Sequence, residues 1–277
     1  MLRRFIVGLF VGLFLPITSA WGPIGHSTIA EIAQQLISPS TDAAIKPLLS
    51  KYDGNMSQAA NWADEVRTLP EFKWSEPLHF INTPDWNCSY IRQRDCFNEA
   101  NQYGFCVDGA IQNYTYILQT RSCKTDTTLL EEAIKFMIHF YGDIHQPLHC
   151  GFSSDRGGND IKGHYFHHST NLHAIWDSGL IETRINSDFG GSVWGWQQYL
   201  LNLVPKIYTI YHPDSQQWGD DSVKLACNFA YVNVDSTHIT QDFQLGQDYY
   251  LRNIAIVEHQ IIQAAVRLKI DLDVIFN

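Results

Sequence analysis

Between Thr127 and Ile144, apolar side chains recur at Leu130, Ala133, Ile134, Met137, Ile138 and Tyr141. That is the spacing of a helix with one buried face. The run ends in His139-Phe-Tyr-Gly-Asp143-Ile-His145-Gln-Pro147-Leu-His149. His139 and Asp143 are four apart, so a helix sets them on one face. Pro147 has no N–H to continue the helical ladder, so the chain turns there. Such a turn can bring His149 back beside the pair. A chain built around this segment must bury a helix and also converge an imidazole, a carboxylate and a second imidazole, which is a metal site in outline.

The same helical period returns along most of the chain. It predicts helices over 27–37, from Pro39 to about Lys51, and over 57–67, 105–120, 127–145, 171–185, 192–206, 213–227 and 245–268. Asp53-Gly54-Asn55 reads as a turn, and Pro77–Asn82 is too short to assign. Residues 82–104 are aromatic, polar and cysteine-bearing, and read as an irregular segment pinned by disulfides. Gly151–Gly163 reads as a loop and Ile161–His168 as a short hairpin. Strand signals are otherwise few, and no repeat or linker interrupts the chain. The fold class is therefore all-α, a single compact helical domain with a small β-hairpin.

Met-Leu-Arg-Arg, the apolar run Phe5–Ile17 and Thr18-Ser-Ala20 have the three parts of a secretory signal peptide. The run is shorter than the ~20 residues a spanning helix needs. The expectation is a signal peptide over 1–20, cleaved before Trp21, and one mature domain over 21–277 with no membrane anchor. Cleavage removes Arg3 and Arg4 and takes the formal charge from −10 to −12. Such acidity argues against a basic groove for duplex DNA, yet bound cations can reverse it locally. Six cysteines (Cys88, Cys96, Cys106, Cys123, Cys150 and Cys227) are an even set. In a secreted chain they read as disulfides, with fifteen possible pairings. Asn55, Asn87 and Asn113 begin acceptor sequons for glycosylation.

A second pair, His173 and Asp177, repeats the four-residue spacing of the first. Nitrogen and oxygen donors without thiolate suit zinc in a hydrolytic site. A lone pair of this kind is more often a hydrogen-bonded histidine; two pairs together with His149 point to metal. Cleavage at Ala20 would also free the α-amine of Trp21. With a reference pKa of ~7.7–8.0, that amine loses its proton readily near neutrality. Amine and carbonyl could then chelate a metal in a five-membered ring, with His26 close by.

The motifs Trp21-Gly-x-x-Gly-His26, Trp62-Ala-Asp64, Pro77-Leu-His79-Phe80, His139-Phe-x-Gly-Asp143, Gln146-Pro-Leu-His149, Gly157-Gly-Asn159 and Asn171-Leu-His173-x-x-Trp-Asp177 occur in this order. On them the chain closely resembles the secreted zinc-dependent single-strand nucleases and 3′-nucleotidases of fungi and plants, the mung-bean-nuclease type, and leans to the plant branch. The resemblance implies a phospholipase C/nuclease-like helical fold with three Zn2+ in one cleft. It implies that Asp64, His79, His139 and Asp143 hold one zinc. Asp143 then bridges to a second, held by Trp21 and His26, while His149, His173 and Asp177 hold the third. Zinc would supply the hydroxide that attacks phosphorus, giving 5′-nucleotides from single-stranded RNA or DNA and phosphate from 3′-nucleotides. Arg67 would assist at phosphate, Phe80 and Asn82 would hold the base, and Asn159 would donate to phosphate or base. Asn82 departs from the aspartate common in the family, which leaves base preference open, because an amide both donates and accepts. The implied protein is a monomer, secreted or delivered to a vacuole or lysosome, without a stable protein partner. A zinc phospholipase C and a non-catalytic zinc-binding protein are the competing readings.

Some residues attract attention without a role by resemblance. His145 reads as a neighbour of the ligands or a surface residue. His164, His167 and His168 read as a solvated strand, and Trp62 and Trp176 as core packing.

Overall fold

The computed structural model describes residues 21–122, 124–206 and 214–277. Residues 1–20, expected to be a signal peptide, and Cys123 lie outside the described residues. The elements run α1 (Pro23–Leu36), α2 (Pro39–Ile45), α3 (Met56–Ala59), α4 (Trp62–Val66), α5 (Arg92–Asp95), α6 (Val107–Gln119), α7 (Thr127–His145), β1 (Lys162–Tyr165), β2 (His168–Asn171), α8 (Leu172–Ala174), α9 (Leu180–Asp188), α10 (Val193–Leu203), α11 (Ser215–Leu225), β3 (Phe243–Leu245) and α12 (Gln247–Phe276). Tight 3-10 turns over Lys46–Tyr52, Lys73–His79 and Pro147–Cys150 join several of them. Among the described residues, no helix is long and apolar enough to cross a membrane.

α7 is the axis. Its amphipathic pattern predicts one buried face, but from Ala133 to His145 every residue is buried. α6, α12, α11, α4 and α1 all pack against it, so its polar residues must find partners inside. On one side Tyr114 stacks on Phe136 at 4.9 Å, and Phe136 on Phe140 at 5.2 Å.

Three differences from the sequence reading bear on the site. The helix expected over 57–67 is two short ones, α3 and α4, separated at Ala60-Asn61; this leaves the Ala60 carbonyl free to point at His139 (2.8 Å). The helix expected over 171–185 holds a wide π turn at Ile175–Gly179 between α8 and α9. Such turns are frequent at functional sites, and this one carries Trp176 and Asp177, both buried. The hairpin expected over 161–168 is present but extends to Asn171, with Phe166 and His167 at positive φ (45° and 69°) in its two-residue turn. It gains an unforeseen third strand: β3 runs parallel to β1, with Gly163 opposite Phe243.

Residues 82–104 hold the short α5 and are tied down by Cys96–Cys106 and Cys88–Cys227. The expectation that all six cysteines pair fails at Cys150, a buried free thiol whose Sγ lies 3.7 Å from the Ile144 carbonyl. It sits in the closed interior of the turn after α7, where it fills space.

The segment is also held by Asp108, fully buried at the start of α6. Its carboxylate accepts from Tyr90 Oη (2.6 Å), Arg92 Nε (2.6 Å) and Nη2 (3.0 Å), Gln112 Nε2 (3.1 Å) and Ser215 Oγ. Removing one member of a buried charged network leaves its partners unpaired, at a cost of ~3–5 kcal/mol. Asp108→Ala should therefore lower the melting midpoint by roughly 10 °C, at 2–4 °C per kcal/mol for a chain of this size. A thermal melt within a degree or two of wild type would show that the network contributes little.

Candidate metal centre and its cleft

Six stretches of chain deliver eight side chains to one interior region: His26 from α1, Asp64 from α4, His79 at the end of Lys73–His79, His139 and Asp143 from α7, His149 from Pro147–Cys150, and His173 and Asp177 from α8 and its π turn. They form three groups, His26–His139–Asp143, Asp64–His79–His139 and His149–His173–Asp177. Within each, the ligand atoms lie within 4.8 Å of one another.

Asp143 faces two ways. One oxygen, Oδ2, lies 3.0 Å from His79 Nδ1 and 3.3 Å from His139 Nε2. The other, Oδ1, lies 3.4 Å from His26 Nε2. Asp64 Oδ1 is 3.6 Å from both His79 Nδ1 and His139 Nε2. In the third group His173 Nε2 is 3.2 Å from His149 Nε2 and 3.3 Å from Asp177 Oδ2.

The backbone sets which nitrogen each ring offers. His139, His149 and His173 lie within 2.7–2.8 Å, through Nδ1, of the carbonyls of Ala60, His79 and Gly157. An Nδ1–H that donates to a carbonyl leaves the Nε2 lone pair for a metal. His79 is turned the other way and presents Nδ1. Two glycines make this packing possible. A Cβ on Gly142 would lie 2.6 Å from His26 Nδ1, so only glycine lets that ring rest against α7. Gly157 has φ +63°, and a Cβ there would lie 2.3 Å from the Leu148 carbonyl; its own carbonyl holds His173.

The donors fit metal ions. Both oxygens of Asp64 and Asp143, Oδ2 of Asp177 and both ring nitrogens of His26 are buried without a hydrogen-bond partner. Anions buried in this way need a compensating cation. The titration behaviour agrees. Burial lowers His26 to about 4 and His173 to about 3, and lowers His79 and His149 as well. These four rings stay neutral, as ligands must. Burial acts the same way on His139, but Asp143 and Asp64 outweigh it and raise the ring to about 9. Without metal, that one proton stands where a cation would. Burial also raises the Asp177 carboxyl well above its usual range.

A cleft of ≈ 1060 Å³ opens beside these groups, with Arg67, Phe80, Asn82, His149, Asn159 and His173 in its wall. Arg67 Nη1 lies 3.2 Å from Asp64 Oδ1. Phe80 and Asn82 are half-buried at the wall, and Asn159 donates through Nδ2 to the Arg156 carbonyl at 2.8 Å. Trp21 is wholly buried at the start of α1. His145 is not a surface residue: it is buried on the far side of α7, with Nδ1 2.6 Å from the Tyr141 carbonyl and Nε2 accepting from Arg267 Nη1 at 2.6 Å. His164 joins the sheet through Ser169 and Gln244, and His167 and His168 are exposed. Trp176 is core, and Trp62 is half-buried beneath Lys135, whose Nζ lies 3.7 Å from the ring centroid.

Sequence reasoning missed the carbonyls of Ala60 and Gly157, which have no side-chain signature. It also missed Gln146, whose Nε2 donates to Asp177 Oδ1 at 2.6 Å, although Gln146 stood inside a quoted motif. Lys73, Trp74 and Arg156 at the cleft wall were passed over because they lie in short polar stretches without periodicity.

Known proteins are similar to this chain in sequence. A sequence model described as S1/P1 Nuclease matches residues 21–277. Endonuclease 4 of Arabidopsis thaliana is 36% identical over 282 residues, covering 93% of this chain and 89% of that protein. Nuclease S1 of Aspergillus oryzae is 32% identical, covering 94% and 93%. Nuclease P1 of Penicillium citrinum is 30% identical, covering 90% and 95%. Helices that bring three ligand groups around one two-faced carboxylate, and a match over the whole described chain, lead to one assignment: the chain belongs to the S1/P1 nuclease family.

Proposed function

We propose that residues 21–277, released from a signal peptide over 1–20, form a secreted endonuclease with three Zn2+ that hydrolyses single-stranded RNA and DNA to 5′-nucleotides and removes phosphate from 3′-nucleotides. The observation that carries this reading is the position of Asp143, with one oxygen toward each of two ligand groups. Asp64, His79, His139 and Asp143 would hold one ion. Asp143, His26 and the amine and carbonyl of Trp21 would hold the next, and His149, His173 and Asp177 the third. When bound, the ions supply Lewis acidity that lowers the pKa of water towards ~7 and stabilises charge on the phosphate.

The chain's own side chains do the rest. Arg67 lies against Asp64 at 3.2 Å and presents a planar fork of N–H donors suited to phosphate oxygens. Phe80 follows the ligand His79 directly, so a base stacked on it sits beside the metal groups. Stacking needs an unpaired base and contributes ~1–3 kcal/mol, which favours single strands. Asn82 both donates and accepts at the base edge, and Asn159 also lines the cleft. Carboxylates and neutral imidazoles, without thiolate, are donors that zinc accepts readily.

The test is an assay of the purified mature chain on single-stranded RNA, single-stranded DNA and 3′-AMP, with and without chelator, alongside a metal count. Chelator-sensitive release of 5′-nucleotides, phosphate from 3′-AMP and three zincs per chain are the expected results. Hydrolysis of phosphatidylcholine instead of nucleic acid would replace the reading with a phospholipase.

A further inference from the structure

Trp74 is 48% exposed in the wall of the cleft, yet its ring is fixed. Its Nε1 donates to the Glu71 carbonyl at 2.9 Å. Its inner part rests on Phe136, fully buried on α7, with centroids 5.9 Å apart, and Phe72 flanks it at 6.4 Å. An exposed indole held from behind by a hydrogen bond and a buried ring has little freedom left to lose when something stacks on it.

Its place in the chain gives the reason to look for a ligand. The 3-10 turn Lys73–His79 carries Trp74 at one end and His79 at the other, with Phe80 next. At about 2 Å of rise per residue, the backbone positions of Trp74 and Phe80 are separated by on the order of 12 Å along the turn. Stacked bases in a strand follow one another every ~3.4 Å, so positions that far apart on the wall suit different bases of one strand. Lys73, adjacent to Trp74, also lines the cleft. Its partner is Glu76, at 2.6 Å, in a pair that is more than half exposed on the lysine side. Exposed pairs of this kind are weak, so Lys73 exchanges readily to a backbone phosphate.

We propose that Trp74 is a second stacking platform, taking a base one or more nucleotides along the same single strand from the base at Phe80. The cleft then reads a stretch of strand and not one nucleotide. This rests on the nucleic-acid reading of the cleft and adds a residue to it.

The test compares kcat/KM on a dinucleoside monophosphate and on a single strand of about ten nucleotides, for wild type, Trp74→Ala, Trp74→Phe and the control Trp194→Ala. Trp194 is 70% exposed on α10 and is absent from the cleft wall. Trp74→Ala should lower the ratio of long to short substrate by about tenfold, within the range that one stacked base contributes, with the loss in KM. Trp74→Phe should restore most of it, and Trp194→Ala should leave the ratio unchanged. Equal losses on both substrates, together with reduced metal content, would mean that the ring only supports the turn holding His79, and would overturn the proposal. So would no loss on either substrate, or no rescue by phenylalanine. Wild-type protein that cleaves neither substrate would remove the nuclease reading, and this proposal with it.

Discussion

Asp143→Ala is expected to reduce kcat/KM by more than ~10³-fold, beyond the ~10²–10³ that a single transition-state donor contributes, and to lower bound metal by more than one ion per chain. The reason is geometric. The two oxygens of Asp143 face different groups, His79 and His139 on one side and His26 on the other. On the proposed ligand sets, truncation removes a carboxylate that faces both groups sharing His139, whereas Asp64 and Asp177 each face one group. The side chain is fully buried with both oxygens unpartnered, so alanine also leaves a void beside three imidazoles. Asp143→Asn separates charge from shape: it fills the space but places an amide N–H toward rings that must be unprotonated. Metal counting by mass spectrometry, with activity on a single-stranded substrate, checks both variants. Full metal content and near-normal turnover in Asp143→Ala would make this carboxylate a structural one.

Removing metal should also destabilise the fold. Without metal, Arg67 faces Asp64 at 3.2 Å and a protonated His139 faces Asp143 at 3.3 Å, while Asp177 Oδ2 has no hydrogen-bond partner, so the buried carboxylates are only partly compensated. A ligand present at a thousandfold over its Kd stabilises by ~4 kcal/mol per site. If the three proposed sites are filled, 2–4 °C per kcal/mol implies a fall of more than ~10 °C in melting midpoint on chelation. The metal-free protein should further weaken in acid. His26 and His173 have folded pKa values of about 4 and about 3, lowered mainly by burial, against 6.5 in the unfolded chain. Between those values the unfolded chain binds more protons, so stability falls as pH drops from about 6.5 towards 4. His139, raised to about 9 by Asp143 and Asp64 against the pull of burial, acts oppositely: its contribution is present below 6.5 and is lost as pH rises through 9. Melts of chelated protein from pH 4 to 9 test this. A midpoint insensitive to chelator would mean that the carboxylates are satisfied in some other way.

How much of this was legible in the sequence depended on where the information sits. The helical period gives α6, α7 and α12 because their apolar positions are dense and regularly spaced. The pairs His139–Asp143 and His173–Asp177 are readable because a helix fixes the four-residue relation locally. Asp64 and His79 are fifteen residues apart on separate short elements, so no spacing rule unites them, and only family resemblance did. The breaks at Ala60-Asn61 and Ile175–Gly179 have no clear local signal in the sequence. β3 is three residues long and pairs with a strand some eighty residues earlier, too short and too distant for a periodic signal. Trp74 sits in a 3-10 turn that contains Pro77, where neither helical nor strand periodicity marks a side chain as exposed and held.

The Cys88–Cys227 bond spans a separation of 139 residues, and His139, Asp143, His149, His173 and Asp177 all lie inside the loop it closes. A protease that nicks the exposed Ser153–Ser154 stretch would cut the chain between His149 and His173, dividing the third ligand group between two fragments. Each fragment keeps one end of the bond, Cys88 on the first and Cys227 on the second, so the pieces stay one covalent body. Such a nicked molecule would run as two bands only after reduction, with its ligand groups still on one covalent body.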